Sequence, residues 1–302
     1  MEALYLPALT RYFRGDFVGA RACFERALSN YEDRARCAYW LRYTGEDAGV
    51  AHRTIFAWTL WHLGFPDRAL RVSREACELG RQIRRPFSLC VALHCLNRVL
   101  QRCRLAAEAL AAAEEQMRLA TEQGFALWLA TGTIFRGAAL LLVGRLQEAL
   151  PAVLKGLDAC RATGSEIDLP YYYSVLGDAY TQAGRFGEAL RALDEGLAIA
   201  EKNDDRSQEA ELHRQKGELF LAESPDQVGA AEDCFRQAID TARRQQCRAW
   251  ELRATMSLAR LRQRQGRRDE ARTALAAVYG TFTEGFTTPD LVDAAAQLNG
   301  LA

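Results

Sequence analysis

One internal spacing constrains this chain more than any other feature of it. An alanine within an amphipathic helical pattern returns as Ala20, Ala69, Ala109, Ala149, Ala189, Ala231 and Ala271, in steps of 49, 40, 40, 40, 42 and 40 residues. Five positions before five of these seven alanines stands a glycine (Gly15, Gly64, Gly144, Gly184 and Gly266), and Arg104 holds that place in the third copy. Glycine there suits the left-handed residue that ends one helix and turns the chain into the next. A step of this size means a stack of supersecondary units, each too small to bury its apolar face alone, so only stacking completes the core.

The best unit spans residues 171–198, where Leu176, Gly177, Tyr180, Gly184, Phe186, Ala189 and Leu197 match the tetratricopeptide consensus. Small residues recur where two helices cross, as Ala8, Ala57, Gly137, Gly177, Gly217 and Ala259, and Asn97 breaks the series. A step near 40 also suits HEAT or armadillo repeats, but the glycine–aromatic–alanine order after Gly15 and Gly184 favours tetratricopeptide units with lengthened helices. The spacing therefore predicts an all-α, right-handed superhelical solenoid of about seven helix pairs. Residues 1–42 form repeat 1, 43–50 a turn-rich inserted loop, 51–286 repeats 2–7, and 287–302 a capping helix. Thr288 and Pro289 open that cap, with Leu291, Ala295 and Leu298 on one face. No cap precedes the first pair, which leaves an apolar edge around Leu4, Leu6, Leu9 and Phe13, to be covered by an upstream domain or by self-association.

Composition narrows the function classes. Lysine plus arginine and aspartate plus glutamate both number 39, and that balance argues against a nucleic-acid binder. The nine cysteines are odd in number and lie in helical segments, so a reducing cytoplasm fits better than a secreted disulfide framework. No basic-then-apolar leader opens the chain, and the apolar stretch 125–144 reads as the buried helix of a middle repeat rather than a membrane span. Cys90, His94, Cys95 and Cys103 lack the hairpin spacing of a zinc site, and His52, His62 and His213 stand in no nucleophile or metalloprotease motif. These readings predict a chain that is not an enzyme and carries no cofactor or metal.

In tetratricopeptide arrays the first helix of each pair lines the concave face. The repeat register puts Trp58, Trp61, His62, His94, Arg98, Arg102, Tyr171, Asp178, Glu211, Arg214, Glu218, Arg253, Arg260 and Arg264 on the outward positions of those helices. Six arginines against three carboxylates predict a net-basic groove with aromatic side chains toward one end. Arginine and tryptophan are common interface anchors, so the expected partner is an acidic protein or peptide segment, held in particular by Arg98, Arg214 and Arg260. The alternative is a receptor whose superhelix closes around a small molecule or short peptide.

Longer segments carry a narrower resemblance. They include residues 211–220 (ELHRQKGELF), 250–254 (WELRA), 257–260 (SLAR) and 278–286 (VYGTFTEGF), with 63–70 (LGFPDRAL) in agreement. These resemble the C-terminal repeat region of bacterial signalling proteins that carry an upstream class III nucleotide cyclase domain and a signal-transduction ATPase domain. Neither a phosphate-binding loop nor a cyclase metal segment is present. The resemblance therefore implies only the role of the repeat region, a sensor or docking arm beside such an ATPase or cyclase.

Overall fold

A computed structural model of the chain describes residues 2–29 and 45–301. Four helix pairs come first: α1 (Glu2–Phe13) with α2 (Phe17–Leu28), α3 (Ala48–His62) with α4 (Pro66–Gln82), α5 (Pro86–Arg102) with α6 (Ala106–Gln123), and α7 (Ala126–Leu142) with α8 (Leu146–Ala162). Three follow: α9 (Leu169–Gln182) with α10 (Phe186–Lys202), α11 (Glu209–Glu223) with α12 (Val228–Arg244), and α13 (Arg248–Arg264) with α14 (Arg268–Tyr279). A last helix, α15 (Pro289–Gly300), ends the chain. The described residues contain no strand, and the seven pairs fall where the alanine spacing predicts them. The helices divide into two compact units, one of Met1–Trp61 with Pro66–Ile167, the other of His62–Phe65 with Asp168–Ala302.

The turn glycines do what their spacing implies. Gly15, Gly64, Gly144, Gly184 and Gly266 all have φ between 69° and 86°, the left-handed region. Arg104 adopts the same conformation at φ 56° without a glycine's freedom, so the third copy keeps the turn and tolerates its cost. Replacing Arg104 with glycine should therefore raise stability by about 0.5–1 kcal/mol, part of the relief being lost to a more flexible unfolded chain. The midpoint of urea unfolding measures it, and an unchanged or lower midpoint contradicts the strain argument.

Where two helices of a pair cross, a side chain would collide. A Cβ on Gly177 would lie 2.5 Å from Leu193 Cδ2, and one on Gly217 would lie 2.5 Å from Phe235 Cε1. Asn97 occupies the corresponding place between α5 and α6 and is fully buried. Its Nδ2 donates to Gln116 Oε1 at 3.0 Å, and Gln116 Nε2 donates to the Trp128 carbonyl and to Thr131 Oγ1, each at 2.9 Å. The third repeat, irregular in sequence, is thus joined to the fourth by a polar network, the form in which buried amides are tolerated.

Three details depart from the sequence reading. The inserted loop is shorter than 43–50, because Ala48, Gly49 and Val50 already belong to α3, where Ala48 packs with Ala27 and Ala51; Tyr43 and Thr44 lie outside the described residues. In α15 the core contact is made by Ala294 rather than Ala295, beside Leu291 and against Leu252, Leu275 and Val278. At the other end Leu6 is 65% exposed, whereas Leu4, Leu9 and Phe13 are half-buried, so the apolar edge is narrower than expected.

Candidate functional site

The outward positions of the first helices behave differently in the two units. In the first, the expected groove residues are packed away from solvent. Arg98 is fully buried, and Trp58, Trp61, His94 and Arg102 are each 5% exposed or less. The Arg98 guanidinium lies over the Trp58 ring at 4.2 Å, and that of Arg102 lies over the Trp61 ring at 4.9 Å. Planar guanidinium groups stack on aromatic faces in this way, with a gain that grows as water is excluded. His94 sits among Trp58, Trp128 and Phe135, with ring centroids 5.8, 5.2 and 4.9 Å away, and its Nδ1 is 3.3 Å from Thr131 Oγ1. Arg98 and Arg102 therefore do not face solvent. The reason is the run of aromatic residues on neighbouring first helices, whose faces attract the guanidinium planes while the aliphatic stems pack between helices.

Cys90, Cys95 and Cys103 are buried nearby, with Cys95 Sγ 2.9 Å from the Thr54 carbonyl. Among the described residues, no group of three or more histidine, cysteine, aspartate or glutamate side chains is placed to hold a metal. Nor is any described helix long and apolar enough to cross a membrane.

In the second unit the same positions form a ladder of alternating charge. Arg214 meets Glu211 at 2.8 Å and Glu218 at 3.5 Å. Glu211 also lies 3.6 Å from Arg253, whose Nε donates to Asp290 of α15 at 2.7 Å. Glu218 accepts from Ser257 Oγ at 2.5 Å and from Arg260 Nη2 at 2.7 Å. Lower on the same face, Ser174 Oγ donates to Gln215 Oε1 at 2.7 Å, and Gln215 Nε2 returns a bond to the Ser174 carbonyl at 3.1 Å. Arg253 with Asp290 apart, the partners joined between helices stand 39–42 positions apart, so the repeat step itself brings them together.

Burial would push the Glu218 carboxyl up, but Arg214 and Arg260 outweigh it and hold the group below the ordinary carboxylate range. Asp178 is shifted the other way: its burial, only partly opposed by Gln182 and Arg214, raises its pKa. Burial and the nearby Lys216 and Arg244 push His213 down to about 4, which keeps it neutral.

Exposure along the ladder is graded. Tyr171 and Glu211 are buried, Asp178, Arg214, Glu218 and Arg253 are half-buried, and Arg260 and Arg264 are exposed. His62 is fully buried, with Nε2 3.3 Å from the Ser207 carbonyl and its ring 5.8 Å from that of Trp250. A count of charges by type gives a basic face, but the geometry does not, because Arg214 and Arg253 are already matched by carboxylates. Asp290, Ser257 and Gln215 belong to the ladder and do not follow from the outward register. The signal for Ser257 and Gln215 is their position about one step from Glu218 and Ser174, whereas Asp290 lies beyond the repeats and has none.

Comparison with known proteins agrees with this architecture. Tetratricopeptide-repeat family models match residues 130–202 and 252–277. No protein of curated function matches the chain in sequence. Among solved structures, a Rap protein complexed with competence and sporulation factor superposes with a TM-score of 0.65 at 14% identity, covering 99% of this chain and 75% of that one. The apo quorum sensor NprR from B. thuringiensis gives 0.55 at 13% identity over 97% and 80% of the two chains. Aspartyl phosphate phosphatase F from Bacillus subtilis gives 0.57 at 12% identity over 91% and 68%. At such identities the likeness is one of fold.

Proposed function

We propose that this chain is a non-catalytic interaction module that takes a protein or peptide segment on the first-helix face of its second unit. The observation that carries this reading is the ladder from Asp178 to Asp290. It is a polar stripe built across four helices, internally paired at depth and ending in the exposed cations Arg260 and Arg264. Ion pairs at a surface add little to folding, whereas a pre-ordered stripe can exchange its outer partners for those of an incoming chain. Arg264, exposed at the end of α13, makes no ion pair among the described residues, so a carboxylate on the partner is its natural complement.

The acidic partner expected from sequence is therefore retained, but its contacts shift from Arg98 and Arg214 to Arg260 and Arg264. The solved structures of like fold include a Rap protein complexed with competence and sporulation factor and the quorum sensor NprR, and a factor-responsive role is compatible with that fold. The sequence segments that resemble cyclase and ATPase signalling proteins support a cytoplasmic sensor or docking arm in such a system. A coding sequence for either domain beside this one is the expected genetic context, and a context of unrelated secreted enzymes would remove that finer assignment.

Binding is tested by probing an array of acidic, neutral and basic decapeptides with the labelled chain. Acidic peptides should bind, and the double variant Arg260→Glu/Arg264→Glu should weaken that binding at least tenfold, which is about 1.4 kcal/mol. Thermal unfolding should barely move, and binding should weaken with added salt. Equal binding by wild type and variant places recognition elsewhere.

A further inference from the structure

A second surface, away from the first-helix face, is built for a different occupant. Among the described residues of the first unit, α4 and α6, and likewise α6 and α8, do not approach one another as α5 and α7 do, so these two gaps are floored by α5 and α7. Between α4 and α6 that gap is bridged by ion pairs, Arg74 to Glu108 at 2.7 Å and Arg81 to Glu115 at 2.9 Å. Between α6 and α8 the wall on the α6 side is Met117, which offers no charge to pair across it. The gap is instead an open trough of about 770 Å³ over α7, mainly apolar, with Leu129, Ala130, Ala152 and Ala159 among its lining residues.

Its only charged lining residues are Arg136, Glu148 and Lys155. Glu148 is already held by Arg145 at 2.8 Å through both oxygens, and Arg136 reaches it only at 4.0 Å. Lys155 is exposed and makes no ion pair among the described residues. The rim is thus net positive, with one cation unmatched and another loosely matched.

We infer that this trough is a docking site for an acidic amphipathic helix of another protein. Three features choose that occupant. The α8 residues along the trough run from Glu148 to Ala162, about 21 Å or nearly four helical turns at 1.5 Å per residue. The alanines on its walls admit the ridge of a closely approaching helix. The backbone groups of the flanking helices are used within those helices, so an extended peptide would lay unpaired amides against an apolar floor, whereas a helix brings its own bonds. The positive rim then selects aspartate or glutamate at the border of the incoming apolar stripe.

The test uses the full chain and, as probe, a phage-displayed library of four-turn amphipathic helices with leucines fixed at i and i+4 and all other positions varied. Selection should enrich acidic residues beside the leucines. A fluorescein-labelled copy of an enriched peptide should bind Ala159→Arg, which fills the trough from an exposed position, at least tenfold more weakly than wild type. Lys155→Glu should weaken binding about fivefold, and changing the peptide's acidic residue to lysine should restore it. Both substitutions are at exposed positions, and circular dichroism and the Arg264-dependent binding of acidic decapeptides report whether the fold and the other face are intact. No enrichment, enrichment of neutral or basic helices, or equal binding to Ala159→Arg overturns the assignment. Sedimentation showing a wild-type dimer abolished by Ala159→Arg would also overturn it, giving the trough to a second copy of this chain.

Discussion

Gly156→Ala should destabilise the first unit by about 2–3 kcal/mol, although alanine is the better helix former by about 1 kcal/mol. Gly156 lies in the middle of α8, where α8 crosses α7. A Cβ there would stand 2.6 Å from Ile134 Cγ1 and 2.9 Å from both the Ala130 carbonyl oxygen and the Ile134 amide nitrogen. Two of those three neighbours are backbone, which no rotamer change can move aside. Gly137 on α7 is the mirror case, its added Cβ falling 2.6 Å from Val153 Cγ2 and 3.0 Å from the Ala149 carbonyl oxygen. The two helices are locked at a separation only glycine permits, so substitution must push them apart and loosen contacts along both. Gly187, near the start of α10, has nothing within 4 Å of the place a Cβ would take, and Gly187→Ala should instead gain up to about 1 kcal/mol. Denaturant unfolding of the two variants measures both signs in one experiment. A stabilised Gly156→Ala would mean that the α7–α8 approach is looser than the geometry requires.

How far the fold is legible in the sequence depends on what kind of residue carries the information. Gly64, Gly144 and Gly184 follow one another at steps of 80 and 40 residues because a left-handed turn closes each pair, and glycine meets that need at no steric cost. Gly137 and Gly177 are readable as crossing points for a similar reason: a steric limit leaves few residue types. The fate of a long side chain is less legible. Arg98 and Arg260 occupy corresponding faces of first helices, yet one is fully buried and the other exposed. The register gives the direction of the Cα–Cβ bond. Whether the guanidinium folds onto a neighbouring ring depends on what stands one repeat away, which is Trp58 for Arg98 and the carboxylate of Glu218 for Arg260. Ion-pair partners are intermediate. Glu218 and Arg260 are 42 positions apart, close to the repeat step, so their pairing follows from the period, whereas Arg253 with Asp290 joins a repeat to the terminal helix and follows none.

Arg98→Ala should cost the first unit about 3 kcal/mol or more, the largest effect expected at any of the groove positions. Arg98 is fully buried on α5, with its guanidinium 4.2 Å from the centroid of Trp58 on α3. Alanine removes most of the side chain's volume from a closed interior and with it the stacking contact between two consecutive repeats. The cavity left behind would be walled in part by Trp58, itself only 3% exposed and held by its indole nitrogen donating to the Cys95 carbonyl at 3.2 Å. Arg98→Lys should recover only part of the loss, because an ammonium has no planar face to lay on the ring and is costlier to strip of water. Arg98→Met, similar in length and without charge, separates packing from charge: near-complete recovery would assign the role to volume, and failure to recover would assign it to the cation. At the exposed Arg260, alanine should change stability by less than about 0.5 kcal/mol. Thermal and urea unfolding of the four variants, with far-ultraviolet circular dichroism to confirm helix content, measures the series. Should Arg98→Ala fold with wild-type stability and lose only the binding of an acidic peptide, Arg98 would be a groove residue after all, and the contrast between a packed first-helix face in the first unit and a binding one in the second would fall with it.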